Sequence, residues 1–247
     1  MKRYFVGLII LMVLACKEQP KTAITPQEIV DKSIKDSGGE KYRNHNTSFV
    51  FRDKKYISEN VDKKKILKRI TFLDTVVIKD VMTNSSFERY MNDSIVKVSD
   101  SIANRYSNSI NSVHYFARLP YGLNDGAVKK ELLGEETLKG TPYYKVKVTF
   151  SQDGGGKDFD DTYVYWFNKT TFKVDYLAYD FHVNGGGQRF RVAYNERYVN
   201  GVRFVDYINY KPKKKGSSIF DIGKLFERGD LEELSKIELK DIKVDQG

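Results

Sequence analysis

Apolar residues follow three rhythms along this chain, and each predicts a different kind of element. The first is an unbroken run. Tyr4 to Ala15 is apolar, follows Lys2 and Arg3, and ends at Cys16. It is too short for a permanent membrane span and has the build of a secretory leader. The second rhythm is helical. Thr25 as N-cap, Pro26 at the first helical position and Glu28 three residues after the cap open a helix whose apolar face is Ile29, Val30 and Ile34. Gly38-Gly39 ends it, and a short turn follows over Glu40 to Arg43. Ser99-Asp100 opens a longer helix with Ile102, Tyr106, Ile110, Val113 and Ala117 at three- or four-residue spacing and Phe116 widening the stripe. Its interior is rich in Asn and Ser, poor helix formers, so it needs tertiary contact on the apolar face. Ser217 or Ser218 caps a third helix carrying Ile219, Phe220, Ile222, Leu225 and Phe226, ended by Gly229.

The third rhythm is period two and fills the rest. Thr47 to Arg52, Ile66 to Leu73, Thr75 to Val81, Ser86 to Asn92 and Ser94 to Val98 read as strands in the first half. Val128 to Thr137, Tyr143 to Phe150, Thr162 to Phe167, Phe172 to His182, Gln188 to Tyr198, Val202 to Tyr210 and Ile237 to Val244 read as strands in the second. Lys139-Gly140, Asn168 to Thr171, Asn184 to Gly187 and Asn200-Gly201 supply hairpin turns. The fold class predicted is mainly β with a few helices. Its centre is a curved antiparallel sheet of about eleven strands forming an incomplete barrel, with helices packed over the concave face. The mature chain holds no segment long and apolar enough for a membrane helix, and too few lipid-facing residues for an outer-membrane barrel.

The leader fixes the compartment. Val13-Leu14-Ala15-Cys16 resembles a bacterial lipobox, in which the cysteine is lipidated and becomes the mature N-terminus. Residues 1–15 are then a signal peptide, 16–24 a lipidated cysteine with its tether, and 25–247 a single domain. Cys16 is the chain's one cysteine, so no disulfide supports the fold and lipidation is its natural fate. The expected location is the cell envelope, lipid-anchored, most simply in the outer membrane at its periplasmic face or on the cell surface. The net charge of +9 is spread along the chain, with clusters only at Lys63 to Lys65 and Lys211 to Lys215, both at expected turns. Solvated turn tips explain them, and export argues against nucleic acid as a partner.

The second half carries a family resemblance. Leu132-Leu133-Gly134-Glu135-Glu136-Thr137-Leu138-Lys139-Gly140-Thr141-Pro142-Tyr143-Tyr144-Lys145-Val146-Lys147-Val148 resembles a strand pair of periplasmic lipoprotein carriers of the LolA and LolB type. Tyr165 to Val174 resembles their next hairpin, and the opening helix with Gly38-Gly39 is also similar. The resemblance implies an incomplete barrel around an apolar cavity, lidded by helices, that binds a lipid, an acyl chain or a lipoprotein. A soluble shuttle carries no anchor, so Cys16 points to an anchored acceptor or another binding role. The exposed hydrophobic loop of an acceptor has only Ile219-Phe220 as a candidate.

Catalytic chemistry has little footing. His45, His114 and His182 lack metal-ligand spacing, and no nucleophile elbow occurs. Asp158, Asp160 and Asp161 lack the closing Glu of a calcium loop. No cofactor, metal or catalytic residue is assigned, and the chain reads as non-enzymatic. The aromatics, 17 Tyr and 15 Phe, suit either an ordinary core or a lined cavity. The cavity candidates are Phe49, Phe51, Phe72, Tyr144, Val146, Val148, Trp166, Phe190, Val192, Tyr194 and Phe204; the lid candidates are Tyr106, Ile110, Val113 and Phe116. Three readings remain. One is an anchored binding protein for a hydrophobic ligand. Another is a structural or interaction lipoprotein of an envelope complex. The third is a hydrolase built on His182 and Asp180.

Overall fold

The computed structural model describes residues 23–62, 64–153, 160–182 and 185–246. The leader, Cys16, most of the tether and Asp158 lie outside them. Among the described residues, fourteen strands form two seven-stranded antiparallel sheets, neither closed. In the first sheet the order is β14 (Lys240–Gln246), β1 (His45–Phe51), β2 (Lys54–Val61), β3 (Lys64–Leu73), β4 (Val76–Met82), β5 (Phe87–Met91), β6 (Ser94–Val96). In the second it is β13 (Leu231–Ile237), β12 (Val202–Pro212), β11 (Gly187–Val199), β10 (Val174–Phe181), β9 (Tyr163–Asn168), β8 (Thr141–Phe150), β7 (Val128–Leu138). Helix α1 (Pro26–Asp36) precedes the sheets with the short α2 (Glu40–Asn44), α3 (Asp100–Ala117) links β6 to β7, and α4 (Ile222–Glu227) precedes β13.

The mainly β, antiparallel incomplete barrel is as the alternation predicts, and the two strands the pattern does not separate, β2 and β13, go unseen for physical reasons. Strand β2 escapes the period-two reading because one of its two buried positions is Ser58, beside Tyr56. The expected single strand over Ile237 to Val244 is two strands in different sheets. The chain crosses at Glu238-Leu239, where the buried carboxylate of Asp206 accepts from Leu239 N at 2.9 Å and Arg197 donates to Leu239 O at 2.6 Å. A polar clamp, invisible in a hydrophobic pattern, switches the sheet.

Helix α1 has the expected capping box: Thr25 N donates to Glu28 at 2.8 Å, and Thr25 Oγ1 accepts from Glu28 N at 3.2 Å. Ile29 and Val30 are fully buried. Gly38 then passes against the β11–β12 turn with φ of 121°, and a Cβ there would stand 2.6 Å from Gly201 O. No other residue satisfies both the conformation and the space.

Helix α3 follows one cross-strand row of the first sheet. Phe49, Tyr56, Arg69, Asp80 and Arg89 are successive partners across β1 to β5. His114 meets Phe49 and Tyr56 edge-on at 5.8 and 5.7 Å, Ser109 accepts from Arg69 at 3.1 Å, and Arg89 lies 3.7 Å over the Tyr106 ring. The stripe read from the sequence is therefore held by ionic and aromatic contacts. These offset the low helix propensity of its Asn and Ser residues.

His114 is 2 % exposed, and burial, helped by the charges of Lys65 and Arg118, pulls its pKa down to about 3. The unfolded chain therefore takes up a proton below the ordinary 6.5 while the folded chain does not. This contribution is fully present above that pH and declines as pH falls toward 3, at about 1.4 kcal/mol per pH unit. His114→Phe is expected to lose this share of acid sensitivity. Urea unfolding of both proteins at neutral pH and about two units lower should show a stability gap that shifts by roughly 2 kcal/mol in favour of the variant; parallel pH profiles would refute it.

Candidate functional site

The inner faces of both sheets, α1 and the C-terminal half of α3 share one core. It includes Phe49, Phe51 and Tyr56 from the first sheet and Val146, Val148, Tyr165, Phe167, Leu177 and Tyr207 from the second. This core is not solid. A cavity of about 560 Å³ lies between α3 and the second sheet. That volume is within the ~300–1,000 Å³ common for small-molecule sites.

Two inner rows of the second sheet make the cavity floor. The first runs Leu132, Val146, Tyr165, Leu177, Arg191, Asn209 across β7 to β12, and the second Lys130, Val148, Tyr163, Tyr179, Arg189 across β7 to β11. From these rows Tyr165, Leu177, Arg191, Asn209, Tyr163, Tyr179 and Arg189 line the void. The roof is α3, through Ser109, Asn111, Ser112, Val113, Tyr115 and Phe116; Phe51, Arg52, Leu119, Phe150, Phe181, Asp161 and Ile237 close the sides. Tyr115 is held from behind by Gly122, where a Cβ would come within 2.6 Å of its ring. A second void of about 330 Å³ shares Asn111, Tyr115 and Phe150 and adds Lys65 and Arg118. Burial, then the charge of Arg118, draws the Lys65 ammonium down to about 8.

The walls are aromatic, but polar atoms stand among them. Arg191 Nε and Asn209 Oδ1 are buried without a hydrogen-bond partner, and the buried hydroxyls of Tyr115 and Tyr165 face each other. Burial raises Tyr115 to about 12 and lifts Tyr165 well above the ordinary tyrosine value, so both hydroxyls stay protonated. The Arg191 guanidinium lies 5.2 Å over both the Phe116 and Tyr179 rings and donates to the Tyr179 hydroxyl at 3.1 Å. Arg189 lies 4.9 Å over Phe181 and donates to Gln188 O at 2.8 Å.

Of the residues singled out from the sequence, Phe51, Val113 and Phe116 line the cavity. Phe49, Val146, Val148 and Phe204 are buried in the surrounding core, with Tyr144 packed against it. Trp166, Phe190 and Val192 are corrections. They alternate with Tyr165 and Arg191 and so face outward, where Trp166 and Phe190 pack under α4 with Ile219, Ile222 and Leu225, and Val192 against that cluster. Tyr194 donates to Glu238 at 2.9 Å. Phe72 is also a correction: 61 % exposed, it pairs with Val77 on the face opposite the Arg69 row. Tyr106 and Ile110 lie on α3, Tyr106 beneath Arg89 and Ile110 fully buried. Ile219 is buried, so the Ile219-Phe220 loop candidate presents only Phe220. What the sequence reading misses is the floor: Tyr163, Tyr165, Tyr179, Arg189 and Arg191. The signal was the odd-numbered alternation on β9 to β11, obscured on β9 because both faces are apolar and on β11 because the inner positions are arginines.

His182 meets Asp161 at 3.3 Å and Asp160 at 3.9 Å, and the three could offer ligand atoms within 4.8 Å of one another. His182 and Asp160 are largely solvent-exposed. The Asp180 carboxylate accepts from Thr162 N at 3.0 Å. The pairing of His182 with Asp180 that a hydrolase reading calls for is replaced by pairing with Asp161.

No helix among the described residues is long and apolar enough to cross a membrane. A family model described as a family of unknown function (DUF6503) matches residues 2–239. No curated protein matches the chain significantly. Among solved structures, a LolA superfamily protein from Nitrosomonas europaea is similar at TM-score 0.50 and 14 % identity, over 90 % of this chain and 94 % of that one. A DUF1329 family protein from Desulfovibrio piger is similar at TM-score 0.42 and 10 % identity, over 90 % and 94 %. A putative outer membrane lipoprotein-sorting protein domain from Vibrio parahaemolyticus is similar at 0.40 and 8 %, over 89 % and 92 %. The fold is of the LolA type, as the strand pair over Leu132 to Val148 implied.

Proposed function

The chain belongs to the DUF6503 family of unknown function, and we propose that it is a membrane-anchored, non-enzymatic binding protein that takes the acyl chain of a lipid or lipoprotein. The observation that carries the reading is the 560 Å³ cavity with aromatic walls between α3 and the second sheet. Burying an acyl chain there would gain roughly 0.8 kcal/mol per methylene removed from water. The LolA-type fold is consistent with such a role. The anchor is Cys16, lipidated after cleavage of the leader, in the cell envelope and most simply at the outer membrane. The domain then works within a tether's length of lipid.

One experiment tests both halves. Full chains with and without Cys16→Ser are expressed with the leader intact, fractionated and extracted with organic solvent for mass spectrometry. The wild type is expected in the membrane fraction and the variant in the soluble fraction, the variant still carrying an acyl lipid in near-stoichiometric amount. A variant that stays membrane-bound removes the anchor; a soluble, folded variant free of lipid removes the cavity reading. A second reading, an interaction lipoprotein of an envelope complex, has its own observation: Phe72, Leu73, Val77 and Ile95 are exposed near the β3–β4 and β5–β6 turns. A lipid-free variant with a reproducible crosslinked partner would favour it.

A further inference from the structure

The cavity is apolar on its walls but charged on its floor, and the charge is of one sign in excess. Among the described residues, Arg52, Arg189 and Arg191 line it against one carboxylate, Asp161, whose own contacts include His182. Neither Arg189 nor Arg191 is held in an ion pair among the described residues; their partners are a backbone carbonyl, a tyrosine hydroxyl and aromatic rings. A guanidinium partly withdrawn from water, as both are, normally finds a carboxylate or a phosphate, because an unpaired cation loses hydration there. Elsewhere in this molecule the buried arginines obey that rule: Arg69 and Arg89 share Asp80, and Arg203 is paired with Glu196. The half-buried Arg189–Arg191 pair departs from it, beside the 560 Å³ cavity.

The neighbours of the pair point the same way. Arg191 Nε is buried and unbonded, although the rest of its guanidinium is fixed between Phe116 and Tyr179. The side chain is thus oriented with a donor left over. Tyr165, in the same row, is fully buried with its hydroxyl turned to that of Tyr115, and so takes no part in the charge excess. The donor left over on Arg191 is what an oxyanion accepts from, and a partly desolvated guanidinium binds it more strongly than one at a surface. Lys145 on the outer face is a contrast: it reaches Glu136 at 2.6 Å and needs no ligand.

We infer that the ligand is an amphiphile whose head is an oxyanion, a carboxylate or a phosphate, received by Arg191 and Arg189, with its chain against Phe51, Phe116, Phe150 and Leu177. The inference rests on the acyl-binding reading above. It narrows the ligand class from any apolar chain to an anionic lipid, whether a free fatty acid or a phosphate-headed lipid. Arg191 is the main contact, since its ring sandwich and free Nε fix a direction. Arg189 supplies a second charge from the adjacent inner position on the same strand.

The test compares three probes of one chain length: palmitate, hexadecyl phosphate and hexadecanol. Affinities are read by displacement of a fluorescent acyl probe from the purified full chain. At least one of the two anions is expected to bind roughly 10- to 100-fold tighter than the alcohol. Which anion shows the gain identifies the source: palmitate alone a fatty acid, the phosphate alone a phosphate-headed lipid, both a general oxyanion site. Arg191→Gln should bring the affinity for the preferred anion down to that for hexadecanol, with far-UV circular dichroism and the thermal midpoint showing that the variant folds. Arg191→Lys should keep part of the preference, since it keeps the charge without the planar fork. Equal affinity for all three probes in the wild type, or a preference that survives the Arg189→Gln/Arg191→Gln double variant, overturns the inference and leaves the acyl-binding reading standing. Binding of none of the three overturns both.

Discussion

Replacing Asp80 with alanine is expected to remove about 3–5 kcal/mol of unfolding free energy, the cost of breaking a buried ion pair by taking one partner away. Asp80 is 1 % exposed and stands between two guanidiniums. Arg69 donates to Oδ2 through Nε at 3.1 Å and Nη2 at 2.7 Å, and Arg89 donates to Oδ1 through Nε at 2.7 Å and to Oδ2 through Nη2 at 3.0 Å. Both carboxylate oxygens are thus used, and deletion leaves two guanidiniums facing each other with no carboxylate between them. The loss reaches beyond β4, because the same row carries the helix roof: Arg69 donates to Ser109 and Arg89 underlies Tyr106. Urea unfolding followed by far-UV and tryptophan signals should show the midpoint falling with an unchanged slope if the native structure is otherwise kept. Arg69→Met/Asp80→Leu/Arg89→Met should recover most of the loss, since replacing a whole buried ionic group by apolar side chains is often neutral or stabilising. An Asp80→Ala cost below about 1 kcal/mol would show that the cluster is hydrated and of little structural weight.

This cluster marks the limit of what the sequence discloses. The alternation on β8, where Tyr144, Val146 and Val148 oppose Lys145 and Lys147, names its inner face unaided, because the outer face of that strand is charged. The same reasoning misleads on β9. There Tyr163, Tyr165 and Phe167 alternate with Val164 and Trp166, both faces are buried, and no polar residue marks the outside. Trp166 goes to the outer cluster because α4 covers that face, a fact that depends on a helix more than fifty residues downstream in the chain. The arginines of the floor are hidden for a related reason. An Arg at every second position of a strand reads as a wet face, and here Arg189 and Arg191 occupy the inner one. Helix α3 was legible as a stripe, but its partner row is half ionic, so hydrophobic pattern alone could not say what it packs on. The fold class survives these errors because it needs only the period and the turns. The site does not, because it needs the facing of individual residues.

The facing of Leu177 gives the strongest test of the cavity itself. Leu177 lies in the middle of the inner row, between Tyr165 and Arg191, and lines the void although its own surface is almost fully covered. It stands on β10, a strand paired on both sides, so a larger side chain there cannot be relieved by a loop moving away. In a packed core, an increase from leucine to tryptophan would force neighbours off their rotamers at about 1–3 kcal/mol. Next to a void of about 560 Å³ the indole has somewhere to go, and that space is the one an acyl chain would occupy. Leu177→Trp is therefore expected to abolish acyl-probe binding and the co-purified lipid while changing the thermal midpoint by only a few degrees. Leu177→Ala enlarges the void instead. It should keep binding and lose stability, by about 2–5 kcal/mol when the cavity is empty, and added ligand should restore part of that loss because ligand stabilises only the folded state. The opposite pattern, with tryptophan strongly destabilising and lipid still bound, would mean that the void is filled by relaxation of Val113 and Phe116 and that ligand sits elsewhere. The two substitutions thus separate a binding cavity from loose packing, which are indistinguishable by volume alone and differ in which change of side-chain size the molecule tolerates.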